Sequence, residues 1–123
     1  MMNNITEQLK ARTKSFAKGC IKLLSSSEHK GRLFWHIENQ LIRCSTSVAA
    51  NYRAACLAQS KASFVAKLSI VLEEVDESAF WLELLQEENL VEKEAAKKLY
   101  DEASELTKIF VASRKTMNNR TNQ

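Results

Sequence analysis

The chain has no proline, and its 123 residues include only two glycines, Gly19 and Gly31. Proline costs about 3 kcal/mol inside a helix and glycine about 1 kcal/mol relative to alanine, so a chain that avoids both carries few helix breakers. An all-α fold follows. Long apolar runs are missing too. No window approaches the ~18 apolar residues of a membrane span, and "MMNNITEQLKARTKSF" has no apolar core of a signal peptide. A soluble, cytoplasmic protein is the expectation. Cysteine is scarce and odd in number. Cys20, Cys44 and Cys56 match neither a CxxC pair nor a zinc-ligand pattern, so they read as small buried side chains in a reducing compartment.

Chemistry-bearing sets are equally sparse. The two histidines, His29 and His36, stand in no Glu-x-x-His relation, which excludes the di-iron bundle pattern. Neither has a partner at nucleophile–base spacing, and there is no glycine-rich phosphate loop. The expectation is a protein with no catalytic residues, no metal and no cofactor.

What is present is a core and a pattern of charge. A hydrophobic content of 45% suffices for one domain, expected over residues 1–117 with a polar tail at 118–123. Residues 1–72 hold eleven basic and three acidic side chains, whereas residues 73–117 hold six basic and twelve acidic. Such polarity lets one face attract a polyanion although the net charge is only +3.

Hydrophobic spacings of three and four predict four helices. The first runs from Ile5 to about Leu24 through Leu9, Phe16, Cys20 and Leu23, and "SSSEHKG" ends it. The second spans about Leu33 to Cys56 on Phe34, Ile37, Leu41, Cys44, Val48 and Tyr52. After "LAQS", Ser60 is placed to cap the third helix, whose Phe64, Leu68, Val71, Val75, Ser78, Leu82 and Leu85 form a heptad seam. Asn89 suits a left-handed helix end, and Glu92 and Glu94 favour the positive end of a fourth helix carrying Ala96, Leu99, Ala103, Leu106 and Phe110. Short connections make this an up-down-up-down antiparallel four-helix bundle.

Three sets of residues stand out. Lys10, Lys14, Lys18 and Lys22 recur every four residues, with Arg12 beside them, as a solvated face or a phosphate-contacting strip. On helix two, Asn51 falls within about 40° of the apolar centre, and Gln40 and Ser47 run along the same edge. That polar seam is read as a network fixing helix two against its neighbours in preference to a ligand site, because buried amides are usually satisfied by the fold itself. Tyr52 borders the apolar side with its hydroxyl free to reach a partner, and Arg53 points outward. On helix three, Glu73, Glu74, Asp76 and Glu77 suit a charge network with Arg43, Arg53 or Lys67. A second apolar set there, Ile70, Phe80 and Leu84 flanked by Trp81, faces away from the seam and implies cover by another subunit or a partner protein.

The segment "QLIRCSTSVAANYRAACLAQSKASFVAKLSIVLEEVDESAFWLELL" resembles the bacterial four-helix-bundle family that includes proteins encoded in intervening sequences of large-subunit (23S) ribosomal RNA genes. The resemblance lies in Gln40, Arg43, Ser47 and Asn51 at spacings of three, four and four, then Ser60, Phe64, Lys67 and Leu68, then Glu73, Asp76, Glu77, Trp81 and Leu82. It extends over about residues 10–115. Many members continue after the asparagine with I-A-E-G, where this chain has "YRAAC", so a role for that glutamate does not transfer. The resemblance implies a bundle that commonly forms a ring-like homopentamer. It also implies kinship with the accessory protein of diversity-generating retroelements, which binds nucleic acid and a reverse transcriptase. The combined expectation is a non-catalytic homo-oligomer that binds RNA or other nucleic acid through Lys10, Arg12, Lys14, Lys18 and Lys22. Gln40, Arg43, Ser47 and Asn51 then form a structural seam, and Arg53, Ile70, Glu73, Glu77, Phe80, Trp81 and Leu84 the subunit interface. The alternative is a protein-interaction scaffold with no nucleic-acid role.

Overall fold

A computed structural model describes residues 4–121. Four α-helices follow one another, α1 (Asn4–Ser25), α2 (Arg32–Cys56), α3 (Lys61–Glu87) and α4 (Lys93–Thr121). Each packs on its neighbours in sequence, α4 returns to α1, and diagonal pairs do not meet at the backbone. Cross-helix pairs such as Thr6 with Tyr52 and Cys20 with Ser45, Arg12 with Glu102 and Ser27 with Leu90, Arg43 with Glu77, and Ser69 with Arg114 are those of adjacent helices that run antiparallel. The fold is therefore the up-down-up-down four-helix bundle expected.

The helix ends follow from local chemistry. The Ser60 hydroxyl accepts from the Ser63 amide at 3.1 Å and starts α3. Beyond α3, Asn89 adopts φ 57°, the left-handed geometry that lets a chain leave a helix. A Glu92 carboxylate then accepts from the Ala95 amide at 2.7 Å and opens α4 with a favourable charge at its positive end. Gly31, at φ 112°, supplies the conformation that brings the chain into α2, which begins without a side-chain cap. The Ser27 hydroxyl donates to the Leu90 carbonyl at 2.7 Å and ties two connections at one end of the bundle. Residues expected as a polar tail continue α4 through Thr121, while the first three and last two residues lie outside the described part.

The heptad seam of α3 is fully buried from Leu68 to Leu85, and only Phe64 at its start is partly covered. It meets Ile37, Leu41, Cys44 and Val48 from α2, Phe16 and Cys20 from α1, and Leu106 and Phe110 from α4 in one core. Tyr52 and Phe110 stack across the diagonal with centroids 5.1 Å apart. Thr13 is completely buried in α1, its hydroxyl donating back to the Leu9 carbonyl at 2.9 Å, so the inner stripe of α1 is continuous from Leu9 to Leu24. Ile5, expected on that stripe, is instead 65% exposed.

The α1–α4 seam closes the bundle. A Cβ on Gly19 would stand 2.7 Å from Leu99 Cδ2, so the missing side chain is what lets Leu99 lie against α1. Arg12 grips Glu102 across the same seam through Nε at 2.7 Å and Nη2 at 2.8 Å, a two-pronged geometry lysine cannot make. That hydrogen bond raises the guanidinium pKa further above its already high value.

Candidate nucleic-acid interface

A groove of about 600 Å³ lies along the outer junction of α1 and α2. It is lined by four cations, Lys10, Lys14 and Lys18 from α1 and Arg53 from α2, against one carboxylate, Glu7, and alanines of both helices, Ile21 and Thr46 complete the lining. Helical geometry explains the grouping. A spacing of four advances the direction by about 40° per step, so Lys10, Lys14 and Lys18 sweep across one side of α1, and Lys22 has turned about 120° from Lys10. Lys22 accordingly lines a different cleft, between α1 and α4, with Lys98 and Glu92. Arg12 is committed to Glu102. Thus the structure brings three of the five strip residues into one groove, separates the other two, and adds Arg53, which the sequence had assigned to a subunit interface.

The groove cations differ in freedom. Lys10 pairs with Glu7 at 3.3 Å, whereas Lys14, Lys18 and Arg53 have no ion pair among the described residues. Cations fixed on one face and unopposed by internal carboxylates suit a polyanion. They can exchange its counterions without first breaking a bond of the fold.

The polar seam on α2 divides into two unconnected parts. Towards α3, Arg43 bonds to Glu77, to Glu74 at 3.3 Å and to Gln40 at 3.4 Å, and the Trp81 indole donates to the same Glu77 at 3.1 Å. His36 packs edge-on against Trp81, centroids 5.6 Å apart, and completes the cluster. Partial burial by itself would raise the Glu77 carboxyl, but the bonds from Arg43 and Trp81 outweigh it and hold the group below the usual range. The charge network expected between helix three and Arg43, Arg53 or Lys67 is therefore made within the chain, by Arg43. Ser47 and Asn51 form the other part. The Asn51 amide donates to the Ser47 hydroxyl at 2.8 Å and to the Ser47 carbonyl at 3.1 Å, both within α2, so Asn51 is half-buried and bonds to no other helix. The Tyr52 hydroxyl is not free either, because it lies against Thr6 and Cys56, and burial raises its pKa.

The α3 set expected at a subunit interface also divides. Phe80 is 53% exposed and Ile70 38%, with Glu73 exposed between them. Trp81 and Leu84 are partly buried against the core, and Glu77 is engaged by Arg43. Phe80 packs edge-on to Trp81, centroids 4.9 Å apart, which holds its ring on the surface. Sequence reasoning missed one further exposed aromatic, Trp35 on α2, at 64% exposure. Its signal was available, since Trp35 lies 18 residues before Arg53, five full helical turns, and so on the same side of α2.

The thiols are built into the packing. Burial pushes Cys20 up to about 12 and Cys44 to about 11, keeping both as neutral thiols. Their polar neighbours are serines of adjoining helices, Ser45 beside Cys20 and Ser78 at 3.2 Å from Cys44. Among the described residues no group of three or more His, Cys, Asp or Glu could hold a metal, and no helix is long and apolar enough to cross a membrane.

A family model described as 23S rRNA-intervening sequence protein matches residues 6–112. Among solved structures, the chain is similar to a protein of unknown function of the S23 ribosomal protein family from Bacteroides thetaiotaomicron. The two are 30% identical, with a TM-score of 0.80 over 89% of this chain and 97% of that one. No curated protein is significantly similar.

Proposed function

Since the chain belongs to the 23S rRNA-intervening sequence protein family, we propose that it is a non-catalytic, homo-oligomeric bundle that binds RNA or other nucleic acid along the α1–α2 groove. The observation that carries the reading is the grouping of Lys14, Lys18 and Arg53, without internal carboxylate partners, with Lys10 on one groove. The family's name concerns where such proteins are encoded, and the fold alone assigns no function. Support comes from the site. Phosphates lie along the cationic rim as point-charge contacts, which position a strand without reading its sequence. Lys22 and Arg12 have no direct part in this reading, the first because it faces another cleft and the second because it holds α4.

Self-association is the second element of the proposal. An exposed Phe80 flanked by Ile70 and by acidic Glu73 and Asp76 is a surface for a second protein, and a further copy of this chain is the occupant proposed, in the ring of five that the family resemblance implies. Repeating the groove around such a ring multiplies affinity through avidity without new contacts. A gel-shift series with RNA and DNA tests the binding. Replacing Lys14 and Lys18 together with glutamate is expected to abolish the shift while leaving the helical circular dichroism intact. Absence of salt-sensitive binding by the unaltered protein to any nucleic acid refutes the reading. Light scattering tests the assembly, and a monomer at micromolar concentration refutes that element. A protein that co-purifies on the Phe80 face, with no nucleic-acid absorbance, favours the scaffold alternative.

A further inference from the structure

Trp35 is the most exposed aromatic side chain among the described residues, and it stands on the same face as the groove. Along α2, Trp35, Ile42, Thr46, Ala49 and Arg53 recur at spacings of seven, four, three and four, which keeps the other four directions within about 40° of Trp35. Thr46, Ala49 and Arg53 line the groove, and Ile42 is 37% exposed between them and Trp35. On α1, Ile21 lines the end of the groove and is itself 40% exposed. The face thus passes from a cationic half at Arg53, Lys10, Lys14 and Lys18 to an apolar half at Ile21, Ile42 and Trp35.

Nothing in the bundle uses the Trp35 ring. Its backbone carbonyl accepts from Asn39 at 2.8 Å, but the indole has no hydrogen-bond or ring partner among the described residues. The other tryptophan, Trp81, stacks on two rings and donates to Glu77. Charge near Trp35 is balanced, with exposed Lys30 and Arg32 against Glu28 and Glu38, so this end offers apolar area rather than further phosphate contacts.

Resting on the nucleic-acid reading, we infer that the face selects single-stranded nucleic acid, with phosphates on the lysine–arginine rim and a base stacked on Trp35. The physical reason is the division of the surface. A duplex presents phosphates outward and hides its base faces, so it satisfies the cationic half and leaves the apolar half wet. A single strand offers both at once, and stacking of a base on an aromatic ring is tolerant of base identity. A second copy's acidic α3 is the competing occupant. Glu74 and Glu77 of that helix are already held by Arg43, and its exposed Glu73 and Asp76 could meet the cations but present no flat base to Trp35.

The test uses the 123-residue chain carrying Trp81→Phe, so that emission reports Trp35 alone, titrated with oligouridylate and with an RNA duplex of the same length. The single strand is expected to quench Trp35 and to bind more tightly. Trp35→Ala, at a surface position, is expected to weaken single-strand binding about tenfold or more, while its salt dependence and duplex binding stay unchanged. Equal binding of duplex and single strand, with no quenching and no effect of Trp35→Ala, overturns the inference but leaves the nucleic-acid reading standing. If Lys14→Glu/Lys18→Glu also fails to alter the binding, the groove reading falls as well. A Trp35→Ala protein that dissociates to monomers, without change in nucleic-acid affinity, assigns the face to a second copy and overturns the inference.

Discussion

Arg43 and Arg53 stand on one helix and have opposite commitments. Arg43 is tied to Glu74 and Glu77 of α3, and Arg53 has no ion pair among the described residues. The Arg43 cluster should show in the acid limb of stability. Glu77 titrates lower in the folded chain than in the unfolded one, so its contribution is complete above the unfolded pKa, about 4.3, and is lost as pH falls through the lower folded value. Urea midpoints of Glu77→Gln are therefore expected to vary less with pH below about 4.5 than those of the wild type. Identical profiles would mean that Arg43 holds the carboxylate too loosely to matter. For Arg12 and Glu102, a double-mutant cycle should return a coupling of about 0.5–1 kcal/mol. The pair is bidentate yet partly solvent-exposed, and exposed pairs fall in or below that range. These partnerships were the least legible features in the sequence. Whether Glu77 meets Arg43, or Asn51 turns back to Ser47, depends on the rotation and offset of a neighbouring helix, which one helix's periodicity does not contain.

Among the elements, α3 was the most legible and α1 the least. The α3 seam repeats at spacings of three and four, its cap is a serine at the required place, and its exit is an asparagine able to adopt positive φ. Those signals are local, so sequence alone carried them. Ser60→Ala is expected to cost about 1 kcal/mol through loss of the Ser63 amide's partner, measurable as a lower urea midpoint with unchanged slope. Phe110→Ala should cost about 3–5 kcal/mol, because the ring is wholly buried and stacks on Tyr52. In α1 the lysine period of four looked like one strip. Its slow rotation instead delivers Lys10, Lys14 and Lys18 to the α2 side and Lys22 to the α4 side, and only packing against both neighbours reveals that division. Helix α4 continues into the polar residues expected as a tail, because polar composition alone does not stop a helix that is already propagating.

At the scale of the whole molecule, the asymmetry of charge along the sequence becomes an asymmetry in space. The basic first half builds the outer α1–α2 face, and the acidic second half supplies α3 and the start of α4. Adjacent antiparallel helices convert position in the chain into position around the bundle, which is why the basic α1 side was legible in the sequence, whereas the addition of Arg53 and the separation of Arg12 and Lys22 were not. The central claim is that Lys10, Lys14, Lys18 and Arg53 act together on a phosphate backbone. The most direct measurement is the salt dependence of affinity for a single-stranded RNA, comparing the wild type with Lys14→Glu/Lys18→Glu. Four phosphate contacts predict a slope of log K against log salt near −3 for the wild type, and a slope near zero or no binding for the variant. Equal slopes for the two proteins, or a wild-type affinity indifferent to salt, would contradict the account.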